Sequence, residues 1–362
     1  MKPERNCFTH MDLYRRLFDH AIKRALRRGA ALLSGHPESA CAMERILRHQ
    51  KHAAGRRKSY EPDTLIPPLL IVSTTEQCNL QCEGCYARAL HQQPHRELAR
   101  PQMDALLDQA AHAGCSALLL AGGEPLLRPD WLAAAAAHPE LLTLVFTNGT
   151  LLDEAMAARF AAGRSMLPVI SVEGGERATD ARRGRGVGKQ VQSALGHLSG
   201  KNVPFGLSVT VSRENIDAVT QKSFLAPFVQ QGCRLAIFVE YVPVDDTAKG
   251  LALTPKDKKR LYRHSKRRDA GALRLAFPGN ERLLGGCLAA GRGFVHIGAS
   301  GDVEPCPFAG YSDRNITAVP LVEALRSPLL SRIRQGHALL QESAVGGCAL
   351  RGEKAREFFS QM

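Results

Sequence analysis

The chain has 362 residues, with 44% hydrophobic and 23% charged residues. That is enough for one large domain with appendages or for two domains. No run approaches the roughly 18 uninterrupted apolar residues of a membrane span. The opening "MKPERNCFTHMDLYRRLFDH" lacks a signal-peptide apolar core. The expected location is therefore cytoplasmic, where ten cysteines point to metal or redox chemistry rather than disulfides.

The net charge of +13 is concentrated at the start: residues 1–60 hold 14 Lys/Arg against 5 Asp/Glu. Residues 10–55 read as two basic helices, the first with Leu13, Leu17, Ala21 and Leu26 near one face. Such a segment is either a solvated helical face or a contact for an anionic membrane, a nucleic acid or an acidic partner. "GRRKSYEPDTLIPP" reads as a linker that closes a segment of residues 1–62.

From about 68 to 269 the pattern is six repeats of strand then helix. The strands are "LLIVSTTEQ", "SALLLAGGEP", "LLTLVFTNGT", "LPVISVEGG", "VPFGLSVTVS" and "CRLAIFVEYVPV". The helix after the first strand is predicted to begin at Pro101, bury Met103, Leu106, Leu107 and Ala110, and stop at Gly114. Apolar strands joined by helices predict a parallel sheet with right-handed crossovers, whose ligands collect at the carboxyl ends of the strands. Cys115 and Cys233 open their strands at the opposite end and read as small core residues. After residue 279 a β-hairpin is predicted around "GASGD", then a helix at about 320–336.

Cys78, Cys82 and Cys85 lie in "CNLQCEGC", where three thiols bind a soft metal. Zinc would need a fourth ligand, for which His91 and His95 are candidates. A 4Fe–4S cubane on three cysteines leaves one iron open to an outside ligand.

The loop resembles the cluster loop of the radical S-adenosylmethionine (radical SAM) superfamily. "AGGEP" at 121–125, "TNGT" at 147–150 and "SVEGG" at 171–175 resemble that family's next three strand ends. The resemblance implies an α/β fold: a partial (β/α)6 TIM-like open barrel over residues 63–278. The helical segment would precede it, and a small hairpin-and-helix extension, residues 279–362, would follow. The resemblance further implies a 4Fe–4S cluster bound to S-adenosylmethionine, and an electron donor such as a flavodoxin or ferredoxin. It implies that Gly122, Gly123, Glu124, Pro125 and Asn148 contact the cofactor. Glu124 would accept from the methionyl ammonium and Ser171 would bind the ribose.

Cys287 and Cys306, spaced about Gly301, resemble the start of the auxiliary-cluster extensions called SPASM and twitch domains. With Cys348 they make three ligands for a second, auxiliary 4Fe–4S cluster, and Arg351 stands where a fourth cysteine would be expected. Either one iron is open, or a side chain such as Asp302, Glu304 or Asp313 completes the set.

Arg182, Arg183, Arg185 and Lys189 crowd a glycine-rich stretch that reads as an anion-binding loop for substrate or as a solvated loop. Glu240 and Tyr241, at the sixth strand's end, are candidates for catalytic proton transfer or substrate contact.

The function expected is that of a radical SAM oxidoreductase that matures a peptide or builds a cofactor. A small anionic or lipid-like substrate is the alternative. A non-enzymatic zinc-stapled scaffold for nucleic acid is a third reading that the "GGEP" and "TNGT" strand ends oppose, so nucleic acid is not expected as a partner.

Overall fold

The computed structural model describes residues 37–61, 63–90, 96–245, 247–267, 271–277, 286–336, 348–351 and 353–360, with a few residues between 20 and 32. The expected apolar face of the first helix (Leu13, Leu17, Ala21 and Leu26) lies outside these, as do His91 and His95.

Helix α1 (Pro37–Ser59) is the second of the basic helices expected. It is no free arm. Ala42, Met43, Ile46 and Ala53 are buried, and Met43 and Ile46 pack on Leu47 and Leu142. Arg57, 1% exposed, donates to the Gly114 carbonyl and to Ser116 Oγ, the latter at 3.1 Å. His49 Nε2 lies 2.7 Å from the Cys115 carbonyl. Part of the basic charge therefore holds α1 across the amino end of the sheet.

Strand β1 (Leu69–Ser73) leads into the cysteine loop, which ends in the short helix α2 (Tyr86–Leu90). Helix α3 (Arg100–Ala113) carries Pro101 in its first turn, one residue after its start, buries Met103, Leu106, Leu107 and Ala110 as the pattern predicts, and ends at Gly114 with φ 98°. The alternation continues through β2 (Ala117–Ala121), α4 (Pro129–Ala136), β3 (Leu142–Thr147), α5 (Glu154–Ala162) and β4 (Met166–Val172). Two helices follow β4, α6 (Glu176–Arg183) and α7 (Val187–Gly200). After β5 (Phe205–Val211) the expected single helix is two short ones, α8 (Ile216–Val219) and α9 (Ala226–Gln230), with Pro227 in the first turn of the second. Then come β6 (Cys233–Glu240), α10 (Pro255–Ser265), and a seventh parallel strand, β7 (Leu273–Phe277), which the pattern does not reveal.

The predicted hairpin is β8 (Phe294–Ile297) and β9 (Val303–Glu304), turned by Gly301 at φ 94°. β8 pairs in parallel with β1, so the hairpin extends the main sheet. The expected helix at 320–336 is two, α11 (Leu321–Ala324) and α12 (Pro328–Gln335), because Ser327 and Asp313 cap a fresh start at Leu329 and Leu330. Helix α13 (Glu353–Ser360) ends the described chain.

Among the described residues the sheet order is β7-β6-β5-β4-β3-β2-β1-β8-β9. The sheet curls: Phe277 on β7 and Phe294 on β8, far apart in that order, bring their rings to 5.7 Å. This is an open barrel, as expected. Leu118, Leu120, Val145, Ile170, Leu207 and Phe238 face the helices and are fully buried. The register places the alternate residues on the concave face. Ser73 pairs with Ala121, Leu119 with Leu144, Ser171 with Ser208, and His296 with both Ile71 and Glu304. Leu119, Leu144, Phe146, Ser171 and Phe277 on that face stay half-buried. No helix is long and apolar enough to cross a membrane among the described residues.

Candidate functional site

The site forms where β1 ends. Gly123 N donates to the Thr75 carbonyl at 2.8 Å, and Glu124 N to that of Gln77 at 2.8 Å. The "GGEP" strand end is thereby laced to the segment entering Cys78. A Cβ on Gly122 would lie 2.5 Å from the Thr75 carbonyl oxygen, and one on Gly123 1.9 Å from that of Gln77. The expected reason for these glycines was close approach to a ligand. The structure shows that they admit the chain's own cysteine loop.

Glu124 is 1% exposed. Oε1 accepts from Thr147 Oγ1 at 2.6 Å and Leu126 N at 3.0 Å, and Oε2 from Asn148 N at 2.8 Å. Three of about four acceptor positions are filled internally. Burial pushes its carboxyl above the usual range, opposed by those hydrogen bonds. Pro125 opens a 3-10 turn in which it and Leu126 are buried, and the Leu126 amide donates to the Glu124 carboxylate. Asn148 Nδ2 donates to Asn79 Oδ1 at 2.9 Å and points at Cys78 Sγ, 3.9 Å away, while Leu80 N lies 3.5 Å from the same sulfur.

Burial raises the thiols of both Cys78 and Cys82. Charges on Cys82 and Cys85 would raise Cys78 further, so the three thiols share one electrostatic neighbourhood. Arg183 and Arg182 oppose the rise at Cys82. Among the described residues no three His, Cys, Asp or Glu side chains converge on a single-ion site. The donor set is all thiol, carried on one loop with Cys78 exposed. That fits a cubane, which spreads its ligands over several irons, better than a four-coordinate zinc.

Several expected roles change. Arg182 and Arg183 end helix α6 rather than lying in a loop. Both bind buried Glu173: Arg182 through Nη1 at 2.6 Å, and Arg183 through Nε at 2.9 Å and Nη2 at 2.7 Å. Arg185 is exposed in the following turn, which Asp180 closes by accepting from Gly186 N and Gly188 N. Glu240 follows Val239, so it faces the helices and not the cavity. Its Oε2 lies 3.4 Å from Lys258 Nζ of α10, which removes the ground for a catalytic role. Tyr241 lies against Gly84 inside the cysteine loop. Ser171 is on the concave face, where a ligand can reach it.

The composition-based reading missed a buried chain of polar groups. His296, fully buried, lies between Ser73 Oγ, 2.8 Å from Nε2, and Glu304 Oε2, 2.6 Å from Nδ1. Ser73 abuts Gly122, so the chain runs from the hairpin to the "GGEP" turn. The alternation of β8 and β9 was the available signal.

Cys306 is buried, and Cys287 and Cys348 are half-buried against the main core. The ring of Tyr86, next to Cys85, meets that of Phe308, just after Cys306, at 4.5 Å. Arg351 donates to the Val244 carbonyl at 2.9 Å, tying the segment after Cys348 to the loop after β6. The three carboxylates considered as a fourth ligand are engaged. Asp302 accepts from Ser300 and Asn315, Glu304 partners His296, and Asp313 caps α12.

Residues 72–221 match the family model described as Radical SAM superfamily. A similar protein is the AdoMet-dependent heme synthase of Methanosarcina barkeri (strain Fusaro / DSM 804). It is 26% identical over 290 residues, 72% of this chain and 82% of that one. Mycofactocin maturase MftC of Mycobacterium ulcerans (strain Agy99) is 27% identical over 307 residues, 78% of this chain and 83% of that one. The crystal structure of Streptococcus suis SuiB bound to precursor peptide SuiA shares the fold. Its TM-score is 0.61 at 16% identity, over 83% of this chain and 76% of that one. This chain carries a radical SAM domain and is an iron–sulfur enzyme of that superfamily, whose members use a 4Fe–4S cluster and S-adenosylmethionine.

Proposed function

We propose that this enzyme cleaves S-adenosylmethionine reductively at Cys78, Cys82 and Cys85 and oxidises a peptide or a cofactor precursor in its concave cavity. The observation that carries this is the lacing of "GGEP" and "TNGT" to the three-thiol loop through Gly123, Glu124 and Asn148. Cys78, Cys82 and Cys85 would hold the cluster, which when bound would supply the electron for reductive cleavage of S-adenosylmethionine and so the radical chemistry that removes a hydrogen atom from substrate. The chain's own work is to hold the cofactor and exclude water. The remaining acceptor position of Glu124 takes the methionyl ammonium, Ser171 meets the ribose, and the barrel wall shields the radical.

The substrate is assigned to peptide maturation or cofactor biosynthesis because the relatives spanning most of both chains are named for those tasks. The half-buried Leu119, Leu144, Phe146 and Phe277 suit a substrate with an apolar body. An anionic small molecule finds less support, since Arg182 and Arg183 already serve Glu173. Cys287, Cys306 and Cys348 are proposed to hold an auxiliary 4Fe–4S cluster that binds substrate or accepts its electron. The electron donor is proposed to be a flavodoxin or ferredoxin.

The test is the triple replacement of Cys78, Cys82 and Cys85 by Ala. Dithionite-reduced protein should lose all formation of 5′-deoxyadenosine. Formation at the wild-type rate would reject the assignment.

A further inference from the structure

The half of the cysteine loop between Cys82 and Cys85 is gripped from outside by residues that the cofactor does not need to touch. Glu83 N donates to the Arg182 carbonyl at 2.9 Å, which fixes the loop to the end of α6. Gly84, at φ 62°, has the Tyr241 hydroxyl where a side chain would project. The Arg182 guanidinium lies 5.9 Å from the Tyr241 ring centre, and its Nη1 donates to Thr210 Oγ1 at 3.1 Å. Arg182 and Arg183 converge on the single Oε1 atom of Glu173, which is 3% exposed. Four elements, α6 and the ends of β4, β5 and β6, therefore meet on two residues of the loop.

Simple anchoring would be served by the backbone hydrogen bond and the Tyr241 contact. The second arginine is surplus to that. Two guanidinium groups on one buried carboxylate leave one net positive charge, in a place largely shut off from water. The carboxylate of Glu83, in the loop itself, is exposed and screened. Buried Glu124 acts at the other end of the loop, toward Cys78. Reduction adds an electron to a cluster already surrounded by thiolates. A fixed positive charge nearby favours the reduced form, and the low local dielectric strengthens the effect.

We propose that Arg182, Arg183, Glu173 and Tyr241 are positioning residues that hold the Cys82–Cys85 half of the loop and set the reduction potential of its cluster. The Arg183 charge does the tuning, and Tyr241 with the Arg182 backbone does the holding. The inference rests on the reading that Cys78, Cys82 and Cys85 carry a 4Fe–4S cluster.

The experiment is a redox titration of the full-length, anaerobically reconstituted protein, followed by electron paramagnetic resonance. Cys287, Cys306 and Cys348 are replaced by Ala in every sample, so that one cluster is observed. Arg183→Met should lower the midpoint, so that at the parent's midpoint the ratio of reduced to oxidised cluster falls about tenfold. Tenfold corresponds to about 59 mV for one electron. Arg183→Lys should restore the ratio to within about threefold of the parent, and Glu173→Gln should shift it the opposite way. Midpoints unmoved with iron retained would overturn the proposal. So would Arg183→Met and Glu173→Gln moving in the same direction, which is what a merely loosened loop would do. If Arg183→Met fails to hold iron, the opposite shift in Glu173→Gln still decides. A parent protein that takes up no cubane would instead reject the underlying cluster assignment.

Discussion

The Tyr241 hydroxyl stands 2.2 Å from the position a Cβ on Gly84 would take. One residue of the cysteine loop is thus glycine because a tyrosine from the end of β6 fills its side-chain space. Gly84→Ala also meets a positive φ, a strain of about 1–2 kcal/mol for a non-glycine residue. Reconstituted Gly84→Ala should carry markedly less iron per chain than wild type. Adding Tyr241→Phe should recover part of it by removing the hydroxyl. Full iron uptake by Gly84→Ala alone would show that the contact does not shape the loop.

The extension should carry its own cluster. Wild-type protein is predicted to hold two cubanes, about eight irons per chain. Replacing Cys287, Cys306 and Cys348 by Ala should halve that count and leave cleavage of S-adenosylmethionine intact. With Asp302, Glu304 and Asp313 engaged elsewhere, an open iron is the expected fourth position. Cyanide or imidazole should therefore perturb the auxiliary spectrum. A silent spectrum would point to a protein ligand, and about four irons in fully loaded wild type would remove the second cluster.

The two strand-opening cysteines provide a test of burial. Burial pushes the thiols of Cys115 and Cys233 up to about 12. At pH 8 their thiolate fraction is about one in ten thousand, and the core shields them as well. Iodoacetamide at that pH should label exposed Cys41 of the native apoprotein and spare Cys115 and Cys233 until the chain is unfolded. Equal labelling of all three by mass spectrometry would contradict the packing.

The order of strands and helices was legible because strands buried on both faces leave unbroken apolar runs. β7 was not, since Arg274 splits "LRLAF" and a run of Lys and Arg precedes it. Helix α6 read as a loop because "ERATDARR" has no apolar stripe and buries only Thr179. Glu240 was misjudged for a reason of parity: one residue's shift along β6 exchanges cavity for helix layer. The sequence reading identified the cysteines and "GGEP" as one constellation. It did not show that Gly122 and Gly123 serve the loop itself, because that contact joins segments far apart in the chain.

The basic N-terminal segment divides into two parts with different expected behaviour. His20, Lys23, Arg24, Arg27 and Arg28 line one groove. They are candidates for an anionic lipid surface, where each charge contributes about 1 kcal/mol. Helix α1 belongs to the fold through Arg57, His49 and the Met43–Ile46 contact. Deleting residues 1–36 should then abolish sedimentation with phosphatidylserine vesicles and leave thermal stability unchanged. Arg57→Met should retain vesicle binding but lose about 2–3 kcal/mol of stability, because the Gly114 carbonyl and Ser116 hydroxyl lose a buried donor. Equal sedimentation of full-length and shortened protein would remove the membrane from the account. Wild-type stability in Arg57→Met would mean that α1 is not held as the structure shows.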